Sequence, residues 1–436
     1  MGSSSSSSSS VFFSLGPDAS DAAAIGKIRD HFDAQRPRFA YEGVAGRGVF
    51  GTTYRVRETL PGTGAGDVGG GGQPSTRRML AVKRAAEREE EALRNEIRWL
   101  KKLRGSEHIV RLVASKDDGE KEENQGAVAR LAQELSSLRV SNNDNSRGNA
   151  NVKDSLVGLE GPVLVMEYLA NGDLAQMHSR TIKYDLVVPN RVLWSILLCL
   201  VRACIAMAYP RKADENAEEP GRLEEIPGDG TPPSNLEHGD LHMGNIMMGD
   251  FASPSSDGGE HSLVPVLKLI DFGMAKESKD AVQENLFSIS RVMINLIARK
   301  VVLTGLGQPT TEYKGYRTWA TEILPPPPPQ QPQTDSPSPS PVGYKCATVD
   351  PELRDLMARC LAQDPSRRPS LAEMLYEVQV VAVDRSAATA GGEGMVETDD
   401  EVHAFLQKAL YDAEDDAPGK EEARGDSFGY DGEFGF

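Results

Sequence analysis

His238-Gly239-Asp240-Leu241-His242-Met243-Gly244-Asn245 and, after a strand-like run, Asp271-Phe272-Gly273 are the stretches whose reading decides how this chain folds. An aspartate is followed five residues later by an asparagine, and a second aspartate closes an apolar strand. Carboxylate and amide oxygens of this kind suit a hard divalent cation, and the first aspartate is placed to orient a hydroxyl. Leu241 and Ile246-Met247-Met248 would anchor the loop on the core beneath it. Either triplet alone occurs by chance in most chains of this length. Ordered and spaced together, they fit phosphoryl transfer from a metal-bound nucleotide.

Upstream lies Gly46-Arg47-Gly48-Val49-Phe50-Gly51, between strand-like Arg38–Tyr41 and Tyr54–Val56. Without a Cβ, the backbone amides of Gly46, Gly48 and Gly51 can approach phosphates closely. In a chain holding 42 glycines such a hairpin is weak evidence by itself. Ala81-Val82-Lys83 follows on a short strand, then a helical stretch from Glu87 to Arg104 with Leu93, Ile97, Leu100 and Leu103 on one face. Glu96 lies beside that face and is the natural ion-pair partner of Lys83.

These parts together resemble a eukaryotic protein kinase domain, matched from about Arg38 to Val383. The resemblance implies an α+β, bilobal protein-kinase-like fold: an antiparallel β-sheet N-lobe with one helix, and a mainly helical C-lobe. It implies ATP and Mg2+ as cofactors, with Asp240, Lys83 and Glu96 catalytic and Asn245 and Asp271 on the metal. Gly46, Gly48, Gly51, Ala81, Lys83, Glu167, Leu169, Asp173 and Met247 would contact the nucleotide. Met166 matches the gatekeeper, and Leu100, Phe272 and His238 match members of the hydrophobic spine. The implied partners are ATP and a protein substrate.

The departures from that pattern are equally specific. Thr53 stands where the family has valine, Gly239 where it has an arginine that binds an activation-segment phosphate, and His242 where it has the catalytic-loop lysine. His242 has no orienting partner that the sequence identifies and reads as a loop filler. The stretch from Asp271 to the helix beginning near Asn285 is short and lacks Ala-Pro-Glu; Ala320-Thr321-Glu322 comes after that helix. Without the arginine or a long loop, activation by loop phosphorylation is not expected. The partner of Arg368, which in the family pairs with that glutamate, is open.

His-Gly-Asp-Leu-His-x-Gly-Asn also resembles the catalytic loop of aminoglycoside and choline phosphotransferases. A small-molecule phosphotransferase is therefore the main alternative, and a nucleotide-binding pseudokinase scaffold is a second. Cys360-Leu361-Ala362-Gln363-Asp364-Pro365-Ser366-Arg367-Arg368-Pro369-Ser370-Leu371 is similar to the last helices of protein kinases and favours a protein acceptor. Plainer readings exist for each motif: an ordinary turn for the hairpin, a solvated pair for Lys83 and Glu96, Asx caps for Asp240, Asn245 and Asp271. Their order along one chain favours the site.

With 436 residues and 39% hydrophobic content the chain can bury a large core. Residues 1–37 read as a low-complexity and short helical segment, 38–168 as the N-lobe, 169–383 as the C-lobe and 384–436 as an acidic, disordered tail. Insertions are expected at 61–75, 115–159, 212–234, with a turn-rich stretch at 253–258, and at 325–341, the last a proline tract that could meet SH3-type or WW-type modules. A net charge of −17 argues against nucleic-acid binding through a basic patch. Four cysteines without CxxC or zinc spacing fit reduced thiols in the cytoplasm. Met1-Gly2 with Ser6 matches the myristoylation pattern beside a polyserine run. Leu193–Val201, flanked by Arg191 and Arg202, reads as a buried core helix too short for a transmembrane segment.

Overall fold

Strand β2 (Gly51–Leu60) buries Tyr54, Val56 and Glu58, alternate residues on one face of a pleated strand. It pairs antiparallel with β1 (Phe39–Gly48), from Phe39 opposite Glu58 to Gly48 opposite Gly51, with register shifts at Tyr41/Gly43 and Val44/Gly46. β3 (Thr76–Ala85), β4 (Leu112–Lys116) and β5 (Val163–Glu167) complete a five-stranded sheet in the order β1-β2-β3-β5-β4. The computed structural model describes residues 19–48, 50–60, 76–117, 152–211, 221–251, 260–261, 263–325, 348–384 and 397–411. Residues 1–18, 61–75, 118–151, 212–220, 252–259, 326–347, 385–396 and 412–436 lie outside these, so most of the expected insertions, the proline tract and Gly2 are not described.

The described residues divide into two compact units, at Lys83/Arg84 and Leu159/Glu160. In the first, α1 (Ala19–Asp33) buries Ile28 and Phe32, whose ring lies 5.8 Å from that of Phe39. Glu58 is fully buried but receives Arg38 at 2.9 Å and Arg78 at 2.8 Å, one on each carboxylate oxygen. That double pairing offsets the cost of taking the charge out of water.

The second unit contains α2 (Glu90–Lys102), β4, β5 and every described element after β5. The division falls inside β3 and not at 168/169, because α2, β4 and β5 are tied into the helical part. Val110 N–H donates to Leu269 O at 3.0 Å, and Lys268 pairs with Glu167 at 2.7 Å. In α2, Glu90 and Glu91 open the helix and Lys101 and Lys102 close it, complementing its dipole. Leu93, Glu96, Ile97 and Leu100 form its buried stripe.

Behind these lie α3 (Leu174–Lys183), α4 (Asn190–Ala208), α5 (Ala281–Ala298), α6 (Pro351–Cys360) and α7 (Leu371–Asp384). α4 is the central core helix: almost every residue is buried, including Arg202. Its 19 residues are long and apolar enough to cross a membrane on length and composition, so length does not decide the matter; burial on nearly all sides accounts for its apolar character. Small antiparallel pairs join β6 (Leu236–Glu237) to β9 (Lys276–Glu277), β7 (Ile246–Met248) to β8 (Leu267–Leu269), and β10 (Thr311–Tyr313) to β11 (Tyr316–Thr318).

The tail expected to be disordered contains α8 (Asp399–Tyr411), which buries Val402, Phe405, Leu406, Ala409 and Leu410. Arg180 of α3 donates to the carbonyl of Leu410, and the Tyr411 hydroxyl donates to Asn171 Oδ1 at 3.0 Å. Just ahead of it, the Glu397 carboxylate accepts the amides of Asn190 and Arg191 at 2.7 and 2.8 Å, capping α4. An apolar stripe and an anionic cap outweigh the acidic composition. The elements occur in the order the kinase-like resemblance implies: a five-stranded antiparallel sheet with one helix between β3 and β4, then a mainly helical region.

Candidate active site

Register brings the decisive residues together. β7 pairs with β8 so that Ile246 faces Leu269 and Met248 faces Leu267. Asn245 therefore precedes one strand of a tight hairpin, while Ile270 and Asp271 follow the other. Ile270 N–H donates to Asn245 O at 3.0 Å and extends that pairing by one step. Asp271 has φ +61°, a left-handed turn rare for a side chain larger than glycine. A strained residue of this kind at the end of a strand points to function.

Asn245 Nδ2 donates to Asp240 O at 2.8 Å and to its Oδ2 at 3.1 Å, closing the loop that carries both residues. The amide nitrogen is thus spent inside the loop and the amide oxygen remains to act as a hard ligand. Asp240 keeps a side chain that is 39% exposed, reachable from outside. His238 is a two-sided clip. Its Nδ1 accepts Asp240 N–H at 3.3 Å, which leaves Nε2–H to donate to Ile270 O at 3.0 Å. Burial holds this ring below the usual histidine pKa, in keeping with a neutral imidazole. Its ring lies 4.7 Å from that of Phe272, and Leu100 is also buried, so all three expected spine residues sit in the core of this unit.

His242 is not a mere filler. Its Nδ1 accepts Gly244 N–H at 3.1 Å, which directs an Nε2–H toward Asp240 Oδ2, 3.6 Å away. That neighbour, with Asn245, holds the Asp240 carboxyl below the usual aspartate pKa against the opposing effect of burial. An ionised Asp240 is suited to orienting a hydroxyl.

The segment after Asp271 is held from two sides. Asn95 of α2 points its Nδ2 at three carbonyls, Phe272 at 3.4 Å, Gly273 at 2.9 Å and Ala275 at 2.7 Å, and Trp99 Nε1 donates to Ala275 O at 3.2 Å. On the other side β9 pairs with β6, and Gly239 has φ +79° at a point where the Met274 backbone leaves no room for a Cβ. α5 begins at Ala281, so the stretch from Asp271 is as short as its sequence suggests. Asn95 was missed by sequence reasoning, although it adjoins Glu96 on a helix already recognised as important. Nothing in the residue itself announces carbonyls 177 to 180 positions away.

The remaining expected residues take these places. Glu167 donates its amide to Arg111 O at 3.1 Å, which leaves its carbonyl as the backbone group able to meet a ring. Leu169 is half-buried just beyond β5. Asp173 is the N-cap of α3, its Oδ1 accepting Gln176 N–H at 2.8 Å, and burial raises its pKa. Met247 is half-buried and bridges Asp173. Glu96 is buried on α2 in this unit.

In the first unit, Ala81 and Lys83 are buried near the end of β3, and Gly46, Gly48 and Gly51 lie on the β1–β2 hairpin. A Cβ at Gly46 or Gly48 would meet nothing within 4 Å, so crowding by neighbouring residues does not account for either glycine. Lys83 and Glu96 belong to different units, and the ion pair between them stays an expectation.

Arg368 has gained partners in place of the absent glutamate. Its guanidinium stacks on the Phe287 ring at 4.8 Å and its Nε donates to Ala362 O at 3.0 Å. The stacking replaces an ion pair with a cation–π contact.

No family model matches this sequence, and no curated protein matches it. Among solved structures, one titled as the CAK complex from Chaetomium thermophilum bound to ATP-gamma-S is similar at 17% identity, covering 83% of this chain and 94% of that chain, with a TM-score of 0.41. A likeness that loose assigns no function. The site stands on its own geometry.

Proposed function

We propose that this chain is an ATP-dependent protein kinase that transfers the γ-phosphoryl group of Mg-ATP to a serine or threonine hydroxyl of a protein. The observation that carries the reading is the closed Asp240–Asn245 loop, joined through Ile270 to the left-handed Asp271. The donor set fits magnesium: a carboxylate and an amide oxygen are both hard ligands. Bound magnesium would neutralise charge that builds on the phosphate oxygens.

Each residue then has a role it can perform. Asp240 orients the acceptor hydroxyl and takes up its proton late in transfer. Asn245 and Asp271 hold the cation. His242 steadies the Asp240 carboxylate. Asn95 and Trp99 fix the backbone after Asp271. In the first unit, Gly46, Gly48 and Gly51 would offer amides to phosphates, Lys83 its ammonium group, and Ala81 an apolar surface to the base. The 360–371 stretch, similar to the closing helices of protein kinases, supports a protein acceptor.

One observation favours a second reading. The stretch between Asp271 and α5 offers little backbone for docking a peptide, which suits a small hydroxylated acceptor as in aminoglycoside and choline phosphotransferases. Radiolabelled Mg-ATP, offered with a general protein substrate and with a panel of amino-alcohols and aminoglycosides, separates the two. Label on protein that Asp240→Asn abolishes is expected. Label on the small molecules alone would replace the first reading with the second. No label anywhere, despite nucleotide binding, would leave a scaffold.

A further inference from the structure

Away from this site, three segments of the second unit meet against the central helix around a buried cluster of His108, Cys199 and His261. One ligand-capable atom from each lies within 4.8 Å of the others, and all three residues are buried. Cys199 projects from α4, and its sulfur is 3.7 Å from His261 Nδ1. His108 lies in the loop between α2 and β4, where its Nδ1 meets Glu224 Oε2 at 2.6 Å. Nε2 is therefore the atom it can offer, and this nitrogen is buried without a hydrogen-bond partner. His261 Nε2 is buried in the same condition.

The backbone is built to hold this arrangement. Arg222 N–H donates to Gly105 O at 2.9 Å and Glu107 N–H to Arg222 O at 3.2 Å, a short parallel ladder that draws Glu224 up to His108. Gly221 is needed there: a Cβ would stand 2.8 Å from the Glu107 α-carbon. Arg202, three residues after Cys199 on α4, donates to the Glu224 carbonyl and pairs with Glu260, beside His261. The segments carrying Glu224 and His261 are thus fastened to one helix by one arginine.

We propose that Cys199 Sγ, His108 Nε2 and a ring nitrogen of His261 form a buried binding site for a zinc-class divalent transition metal, clamping three chain segments together. The chemistry of the donors fits: a thiolate and two imidazoles match a borderline-soft ion, and a water can complete four-coordination. At ordinary metal–sulfur and metal–nitrogen distances a tetrahedral centre separates its sulfur and nitrogen ligands by roughly 3.5 Å. The Cys199–His261 spacing is close to this, and the 4.8 Å limit requires only a modest contraction. Glu224 supplies the carboxylate that commonly orients a ligating histidine through its other nitrogen. Burial would keep the Cys199 thiol protonated, yet His108 and His261 bring it down to about 6, while Cys199 and Glu224 raise His108 to about 10, so an incoming ion must displace a proton from that imidazole. On binding, any protons on Cys199 Sγ, His108 Nε2 and the ligating His261 nitrogen pass to solvent, and three electron pairs, one from each ligand atom, are donated to the ion.

The test uses the full-length protein, stripped with chelator and titrated with Co2+ and then Zn2+. One equivalent of Co2+ should produce a thiolate-to-cobalt charge-transfer band with the d–d pattern of a four-coordinate centre, and Zn2+ should displace it. Glu224→Gln should keep the band but weaken affinity about 10- to 100-fold. Cys199→Ser should lose the charge-transfer band. Absence of the band in the unsubstituted protein would overturn the proposal without reliance on any variant, leaving a hydrogen-bonded thiol–imidazole cluster. A band of undiminished strength in folded Cys199→Ser would also overturn it, by placing the thiolate elsewhere.

Discussion

The carbonyl oxygen of Met274 occupies the space a side chain at position 239 would need: a Cβ on Gly239 would lie 2.3 Å from it. Gly239 also has φ +79°, a conformation that disfavours side chains. The arginine found here in the kinase family is thus excluded by the backbone, and the segment beyond Asp271 packs into the room it would take. Gly239→Arg should cost about 1–3 kcal/mol from backbone strain alone, and more from the clash. Thermal unfolding should show a midpoint lowered by several degrees; an unchanged midpoint would contradict the placement of this loop.

Asn95 fixes the backbone after Asp271 from α2 through one amide nitrogen shared among three carbonyls. Asn95→Leu keeps the bulk but leaves carbonyls of Phe272, Gly273 and Ala275 short of a donor. The expected loss is about 1–3 kcal/mol of support for the segment. If that loss is felt in the transition state, transfer falls roughly 10- to 100-fold, because each 1.36 kcal/mol is a factor of ten. A variant that melts normally and transfers at the original rate would refute this role.

Because the segment is held by α2 and by β6, phosphorylation should add nothing. Ser278 is the hydroxyl residue between Glu277 and Glu284, and its amide already donates to Asn235 O at 2.8 Å. Ser278→Ala and Ser278→Glu should both transfer within twofold of the unsubstituted chain. A large stimulation by the glutamate would show that the loop is a switch after all.

The pH behaviour of Asp240 follows from its neighbours. His242 first, with lesser contributions from His238 and Asn245, holds its pKa below the usual value of about 3.9, so the carboxyl stays ionised as pH falls through that value. For a depressed acid the sign is fixed: its contribution to stability is present above the unfolded pKa and is lost as pH falls through the folded one. A carbon-13 titration of the Asp240 carboxyl should place its midpoint below the ordinary aspartate value, and His242→Ala should move it upward. A midpoint above that value in the unsubstituted protein would contradict the arrangement.

What the sequence disclosed was short-range. Asp240 and Asn245 are five residues apart, and Asp271 ends a strand whose apolar pattern is local, so spacing alone revealed their kinship. The stripe of α2 was equally legible. What spacing could not show was anything closed over long separations. Asn95 meets the backbone near 272–275, and His108 meets Glu224 across 116 residues. The absence of zinc spacing around Cys199 was a true statement about neighbours in sequence, and it missed two histidines supplied by the fold. The acidic composition of the tail hid Val402, Phe405 and Leu406, which stand at helical spacing. Arg368 found an aromatic face because Phe287, a residue without motif value, lies on α5 beside it.

The central claim is that Asp240, Asn245 and Asp271 serve one magnesium-bound nucleotide. Calorimetric titration of the full-length chain with ATP, with and without magnesium, tests it most directly. Uptake that requires magnesium and is lost in a folded Asp271→Ala variant is the predicted result. No uptake at saturating magnesium, or the same uptake in the Asp271→Ala variant, would contradict it.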